Sequence, residues 1–432
     1  MPKSSMSIVQ TREDDPQALL RRLFRAAVEA ADPMVCVPPH LPERPRGRTV
    51  VVGAGKASAA MARAVEAHWD GPLEGLVVTR YGHGAATDRI EVVEASHPVP
   101  DRAGLDATRR ILELADGLGE DDLLLCLISG GGSALMSAPA DRMTLEDKRE
   151  VNRQLLACGA TISEINCVRK HLSAVKGGRL AMRAWPARVV ALMISDVPGD
   201  DPATIASGPT VADPTTAGEA RAVLEKYGLA VPEPVARWLA DPRAETPKPG
   251  DERLSRTQNV VVAAPSLSLA AAREIAEAEG YRILDLGDCV EGEAREVGRE
   301  HAALARAVAA GEGEVSPPAI VLSGGETTVT VRGEGRGGRN AEYALGLALA
   351  LDGAPGIYAI ACDTDGIDGS EDNAGAVIGP KTLARAHALD LDPAASLEAN
   401  DAYGVFAALG DLVVTGPTRT NVNDFRAILV KG

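Results

Sequence analysis

The stretch Leu123-Leu124-Leu125-Cys126-Leu127-Ile128 runs without a polar break into Ser129-Gly130-Gly131-Gly132-Ser133. Six consecutive apolar residues with no alternation describe a strand buried on both faces, the kind found in parallel sheets covered by helices. A helical pattern follows the glycines. Three adjacent glycines give up conformational entropy and bury no side chain in return. One gain is bare backbone, whose N–H groups can close around an anion with help from the positive end of the next helix. The other gain is a tight strand-to-helix turn that needs positive φ.

Working outward, short apolar runs alternate with helical periods. Thr49–Gly53, Leu76–Thr79, Ile90–Val93 and Val189–Ile194 read as strands. Leu19–Ala31, Lys56–His68, Leu105–Leu118, Leu145–Gly159 and Ser163–Arg183 read as helices. This alternation predicts an α/β fold with a doubly wound, mostly parallel, Rossmann-like sheet. Proline, glycine and charge gather between Asp241 and Arg256, which places the domain boundary there. The expected domains are residues 1–245 and 246–432. In the second, Asn259–Ala264, Ile283–Leu286, Ala319–Leu322, Thr327–Val331, Ile357–Ala361, Asp411–Thr415 and Arg426–Val430 read as strands, with helices over Ser266–Glu279, Glu291–Ala310 and Arg339–Leu351.

The 432 residues carry a formal charge of −16, and only 3% are aromatic against 45% hydrophobic. Cores are therefore built from Ala, Val, Leu and Ile. A surface this acidic repels nucleic acid and anionic membranes, so neither is an expected partner, and any local cluster of cations becomes informative. The six cysteines form no C-x-x-C pair, which argues against zinc and disulfides. Met1–Gln17 is polar and lacks the apolar core of a signal peptide, and the longest apolar runs are too short to span a bilayer. The expectation is a cytoplasmic protein; assembly of identical copies is compatible with it.

Cations recur beside glycines. Gly53-Ala54-Gly55-Lys56-Ala57-Ser58 follows a strand and opens a helix, approximating a dinucleotide fingerprint with serine in the last glycine position. Lys56 places an ammonium where the helix dipole disfavours it, which an anionic ligand would make sensible. In Asn166–Arg179, Arg169 and Lys176 are seven apart and would share a face of one helix. Arg336 and Arg339 sit among Gly335, Gly337 and Gly338 ahead of another helix, where guanidinium forks suit phosphate oxygens. Ser323-Gly324-Gly325-Glu326 is a further strand-to-glycine junction. Asp196, and Asp363, Asp365 and Asp368, follow strands, where carboxylates can hold Mg²⁺ or cap turns. His97 lies between prolines, as an anion contact or a structural histidine.

Glycine loops, cations and acidic strand ends over two α/β domains describe phosphoryl transfer. The chain resembles the two-domain glycerate 2-kinases whose C-terminal part carries the MOFRL signature. The marks are Gly53–Ala57, Ser96-His97-Pro98, Ile128–Ala134, Arg169–Ser173 with Lys176-Gly177-Gly178, Ile194–Val197, Ala206–Pro209, Ser323–Glu326, Gly338-Arg339-Asn340, Asp363–Gly366 and Thr415–Thr418. The resemblance spans almost the whole chain with no departure at these positions. It implies ATP- and Mg²⁺-dependent phosphorylation of D-glycerate at its 2-hydroxyl, giving 2-phosphoglycerate and ADP, in a cleft between the domains. It also implies an essential lysine at Lys56 and an essential arginine at Arg339, with Arg336 three residues away.

Further roles are expected as follows. Asp196 is the first candidate for metal binding or for orienting the hydroxyl, with Asp363 and Asp365 next as metal ligands. Gly53, Gly55, Ser129, Gly130, Gly131, Gly132, Ser133, His97, Arg169, Lys176, Gly324, Gly325, Glu326 and Asn340 bind substrate or nucleotide. Two other classes stay open: an NAD(P)H-dependent hydroxypyruvate reductase, with Arg80 meeting a 2′-phosphate, and a non-catalytic nucleotide or phosphosugar sensor.

Overall fold

A computed structural model describes residues 15–432 and divides into two compact units. The first comprises Val28–Ser268 and Pro417–Asn423; the second comprises, of the described residues, 15–27, Leu269–Gly416 and Asp424–Gly432. The sequence reading of Met1–Gln17 falls almost wholly outside the described residues. Among those described, no helix is long and apolar enough to cross a membrane.

The first unit is built on six strands: β1 (Thr49–Ala54), β2 (Glu74–Arg80), β3 (Ile90–Ala95), β4 (Leu123–Ile128), β5 (Arg188–Ile194) and β6 (Thr257–Ala263). They lie in the order β3-β2-β1-β4-β5-β6, and every pair is parallel. Alternate residues serve opposite faces, as strand geometry requires. Val50, Val52, Leu124, Cys126 and Ile128 join one core, while Val51, Leu123, Leu125 and Leu127 join the other. Both faces are covered by helices, which is why these strands read as unbroken apolar runs.

The strand order reverses direction between β1 and β4. Ligands of open parallel sheets bind outside the carboxyl ends of the strands at such a reversal. Ala54 and Ile128 are level across it, so the two glycine loops start side by side.

Three local expectations change. The polar stretch after Asp241 leads into β6, which is the edge of the first sheet, and the units divide after Ser268. The helix expected over Ser163–Arg183 is broken into Ile162–His171 and Arg179–Ala184, because Gly177 and Gly178 take left-handed φ of 58° and 81°. The glycine triplet is followed by a single helical turn, Gly132–Leu135.

The second unit holds β7 (Arg282–Asp285), β8 (Gly292–Glu293), β9 (Ala319–Ser323), β10 (Thr327–Thr328), β11 (Ile357–Asp363), β12 (Gly375–Ile378), β13 (Leu412–Val413) and β14 (Asp424–Val430). Its main sheet runs β13-β12-β11-β14-β9-β7 and is antiparallel except for the β7–β9 pair. β8 and β10 pair separately, so the exposed strand expected over Thr327–Val331 shortens to two residues. The helices Ala294–Ala310 and Arg339–Leu351 contribute Val297, Ala305, Leu345 and Leu347 to a core shared with Val321, Ala359 and Ile428.

Candidate active site

In the first unit the loops after β1 and β4 are stitched to each other. The Lys56 N–H donates to Gly130 O at 2.8 Å, and the Ser129 N–H to Ala54 O at 3.1 Å. Ser129 Oγ accepts from the Ala57 N–H at 3.0 Å, and Ser58 Oγ donates to Leu127 O at 2.9 Å. Gly130 is crowded by the Asp196 carboxyl group, which follows β5; a Cβ there would also come within 2.8 Å of Asn421 Nδ2. Gly131 has φ 79°, and a Cβ on it would lie 3.0 Å from the His97 ring. The turn reading of the triplet is seen in the left-handed φ of Gly131, and the missing side chains also let His97 and Asp196 pack close against the loop, with the Lys56 N–H bonded to Gly130 O.

Asp196 is held from the C-terminal segment. Its Oδ2 accepts from Asn421 Nδ2 at 3.0 Å, and its backbone oxygen from Asn423 Nδ2 at 2.7 Å. His97 sits among cations. Burial first, then the charges of Lys56, Arg80 and His83, push its pKa from 6.5 down to about 4, so it is neutral at neutral pH.

On the far side of the triplet, Lys176 is buried and donates from Nζ to Ser133 O at 2.7 Å and to Ser133 Oγ at 3.0 Å. Ser133 Oγ also meets Ser207 Oγ at 3.0 Å. Arg169 and Lys176 do not share a helix face as expected. Arg169 is on the helix Ile162–His171 and Lys176 is in the loop after it, yet both line one cavity with Ser133 and His97.

In the second unit Arg339 opens its helix with every arm of the guanidinium engaged. Nε donates to Asp424 Oδ1 at 2.8 Å, one terminal nitrogen to Glu326 Oε1 at 2.5 Å, and the other to Asp363 Oδ2 at 2.9 Å. Burial opposes the charge, but Asp424, Asp363 and Glu326 more than offset it and hold the pKa above the ordinary arginine value. Asp424 is itself gripped by the buried Arg426, which also donates to Gly324 O at 3.1 Å. Asn340 is turned inward, donating to Asp424 Oδ1 at 2.8 Å. Asp363 and Asp365 form successive turns, Asp363 Oδ1 accepting from the Asp365 N–H and Asp365 Oδ1 from the Ile367 N–H, each at 2.9 Å. Asp368 caps the helix, accepting from the N–H groups of Asn340 and Ala341 at 2.9 and 2.8 Å. Glu326, Gly338, Arg339 and Asp363 line a hollow of about 760 Å³.

These two glycine-rich sites can be set beside known proteins. A domain of unknown function, DUF4147, matches residues 19–240, and the MOFRL family matches residues 319–424. The D-glycerate 2-kinase of Thermotoga maritima is 41% identical over 95% of this chain and 98% of its own length. The chain belongs to the glycerate kinase family. A crystal structure of glycerate kinase from Thermotoga maritima superposes with a TM-score of 0.89 at 40% identity, covering 96% of this chain and 100% of that one. A relative from Agrobacterium vitis named "Putative hydroxypyruvate reductase" is 58% identical over 95% of this chain and 94% of its own length.

Within this glycerate kinase fold, Arg336 and Arg339 separate clearly. Arg336 is exposed, donates to Glu371 and lies 4.4 Å from the centre of the Tyr403 ring. Arg339 is the arginine that lines the hollow. Asp424, Arg426, Lys148, Asn421 and Asn423 were missed from sequence. The signal for the asparagines was the Thr415–Thr418 motif just ahead of them; Lys148 looked like any solvated helix charge. Among the described residues, no group of three or more His, Cys, Asp or Glu is arranged to hold a metal ion alone.

Proposed function

We propose that this protein transfers the γ-phosphoryl group of ATP to the 2-hydroxyl of D-glycerate, with Mg²⁺ as the metal. The observation that carries the proposal is the convergence of Lys56, His97 and Asp196 on the Gly130–Ser133 loop at the sheet's reversal point, in a chain 41% identical to a D-glycerate 2-kinase. In this reading Lys56 neutralises the transferring phosphoryl group and the loop backbone cradles its oxygens. Neutral His97 can take or give a hydrogen bond without adding charge. Asp196, positioned by two asparagines, supplies the carboxylate that orients the acceptor hydroxyl or meets the metal.

Arg339 is the second cation assigned to the reaction. Glu326, Asp363 and Asp424 outnumber the charges of Arg339 and Arg426, so their surroundings are net negative. A bare phosphate would be repelled there, whereas a metal-bound phosphate would not. The donors are hard carboxylate oxygens, which suit Mg²⁺, an ion that takes one or two carboxylates and fills its shell with water and phosphate. On this unit Asp363 and Asp365 are the residues that would hold it. When bound, the metal neutralises charge on the phosphate oxygens.

The test is ADP release in a coupled assay with D-glycerate, ATP and Mg²⁺. The expected result is release that depends on all three. No ADP above the control lacking acceptor would reject the kinase and favour a sensor.

One other activity is favoured by a specific observation. The strand order β3-β2-β1-β4-β5-β6 with Gly53-x-Gly55 at the end of β1 is the arrangement of dinucleotide folds, and the Agrobacterium vitis relative carries a reductase name. Steady oxidation of NADPH by enzyme and hydroxypyruvate would select that activity.

A further inference from the structure

The helix Arg339–Leu351 opens at the hollow of the second unit and, one turn in, carries a buried carboxylate. Glu342 is 2% exposed and meets Arg295, equally buried, from the helix Ala294–Ala310; Arg295 Nε donates to Glu342 Oε1 at 2.8 Å. Two charges drawn out of water are tolerated only when their remaining polar atoms are also satisfied. The other nitrogens of Arg295 donate to Glu398 Oε1 at 3.1 Å and Leu397 O at 2.7 Å. The other oxygen of Glu342, Oε2, accepts from Asn400 Nδ2 at 2.9 Å.

Asn400 is 6% exposed and turns its oxygen to a different segment. Its Oδ1 accepts from the N–H groups of Arg332 and Gly333 at 2.7 and 3.0 Å, and Nδ2 also donates to Thr330 O at 3.4 Å. Swapping the two ends of the amide would set donor against donors and acceptor against acceptors, so this orientation is fixed. The backbone of Asn400 is left-handed, with φ 56°. Glycine takes that conformation more readily than asparagine, so what asparagine adds here is its amide.

Residues 329–338 form neither helix nor strand, and an irregular segment must find partners for its backbone groups elsewhere. Residues 399–403 supply them. The Gly335 N–H donates to Ala399 O at 2.9 Å, the Arg336 N–H to Asp401 Oδ1 at 3.1 Å, and the Tyr403 N–H to Arg336 O at 3.0 Å. Val329, Val331, Gly337 and Gly338 of this segment line the hollow beside Arg339. Asn400 thus ties one wall of the hollow to the helix that Arg339 opens.

We infer that Asn400 is a positioning residue: through Glu342 on one side and the Arg332 and Gly333 N–H groups on the other, it sets residues 329–338 against Arg339. Its effect on rate rests on the kinase reading of this site; the clasp itself does not.

The experiment compares the full chain with Asn400→Gly and Asn400→Ala. Both remove the amide; only alanine adds left-handed strain, so Asn400→Ala should unfold at a lower temperature than Asn400→Gly. Amide hydrogen exchange read by mass spectrometry needs no turnover. In both variants exchange over residues 329–338 should quicken about tenfold, with the peptides of β9 and β11 unchanged in Asn400→Gly. In steady-state rates with D-glycerate, ATP and Mg²⁺, both variants should raise KM for one of the two substrates about fivefold, by the same factor as each other. Lost stability alone would lower kcat through fewer folded molecules and leave KM where it was. In Asn400→Gly, exchange unchanged over 329–338, exchange quickened across the whole second unit, or quickened exchange with KM unmoved would each overturn the inference. A parent that releases no ADP with glycerate would reject the kinase reading, and the exchange result would still decide the clasp.

Discussion

The two glycine-rich sites use the same residue vocabulary with opposite charge balance. In the first unit, Lys148, Arg169 and Lys176 crowd a cavity lined by no carboxylate among the described residues, and His97 is pushed toward neutrality first by burial and then by Lys56, Arg80 and His83. In the second, Arg339 is held by three carboxylates and Asp424 is shared between two arginines. A cation beside glycines in sequence therefore says little about local charge. What decides it is the partners that the fold brings in from elsewhere. On charge balance alone, an anion would be attracted to the first site as it stands, whereas at the second it would need an accompanying cation.

The largest effect expected is at Lys56. Lys56→Ala should lower kcat/KM for glycerate phosphorylation about 100-fold or more, read from initial rates; near-normal turnover would remove the role assigned to it. Next comes the paired charge of the second unit. Asp424→Asn weakens the grip on both Arg339 and the buried Arg426, and should destabilise the protein by about 3 kcal/mol, measured by urea unfolding. If stability holds, Arg339 and Arg426 are satisfied by other groups and the contrast between the sites weakens.

The units should also respond to pH with opposite sign. His97 has a folded pKa below its ordinary value, about 4 against 6.5, so the unfolded chain binds more protons in between. Its contribution is fully present above pH 6.5 and is lost as pH falls toward 4. Asp368 is raised by burial from 3.8 to about 6, despite the helix N–H groups it accepts from and the charge of Arg339. Its contribution is present below pH 3.8 and is lost as pH rises through 6. Stability profiles of His97→Asn and Asp368→Asn, each set against the parent, should differ from it with opposite slopes. Parallel slopes would show that the contrast is not electrostatic.

The smallest effect belongs to Arg336, which is exposed and pairs with Glu371. Arg336→Ala should leave turnover within about twofold of the parent, as for most surface ion pairs. A large loss would mean that the two arginines had been assigned the wrong way round.

Much of the first unit was legible in sequence because β1, β4 and β5 are buried on both faces and so appear as uninterrupted apolar runs. The loops after β1 and β4 announce themselves because close approach demands glycine. The second sheet was less legible. β12 is only four residues long, and antiparallel pairing leaves no mark on such short segments. The broken helix at Gly177-Gly178 had a signal that periodicity overrode. Asp424 could not be found from spacing, since its partner Arg339 lies 85 positions away and only tertiary structure joins them. Lys148 was missed for a related reason: an amphipathic helix shows which positions are charged, but burial of one of them depends on what packs over it.

The excursion of Pro417–Asn423 into the first unit bears on how this protein can be taken apart. A fragment ending at Ser268 would contain every strand of the parallel sheet and still lack Asn421 and Asn423, leaving the Asp196 carboxyl and backbone oxygen without those donors. Chimaeras made by exchanging halves between relatives at that point would inherit the aspartate from one parent and its clamps from the other. Recombination would have to carry seven residues from near the end of the chain along with the beginning.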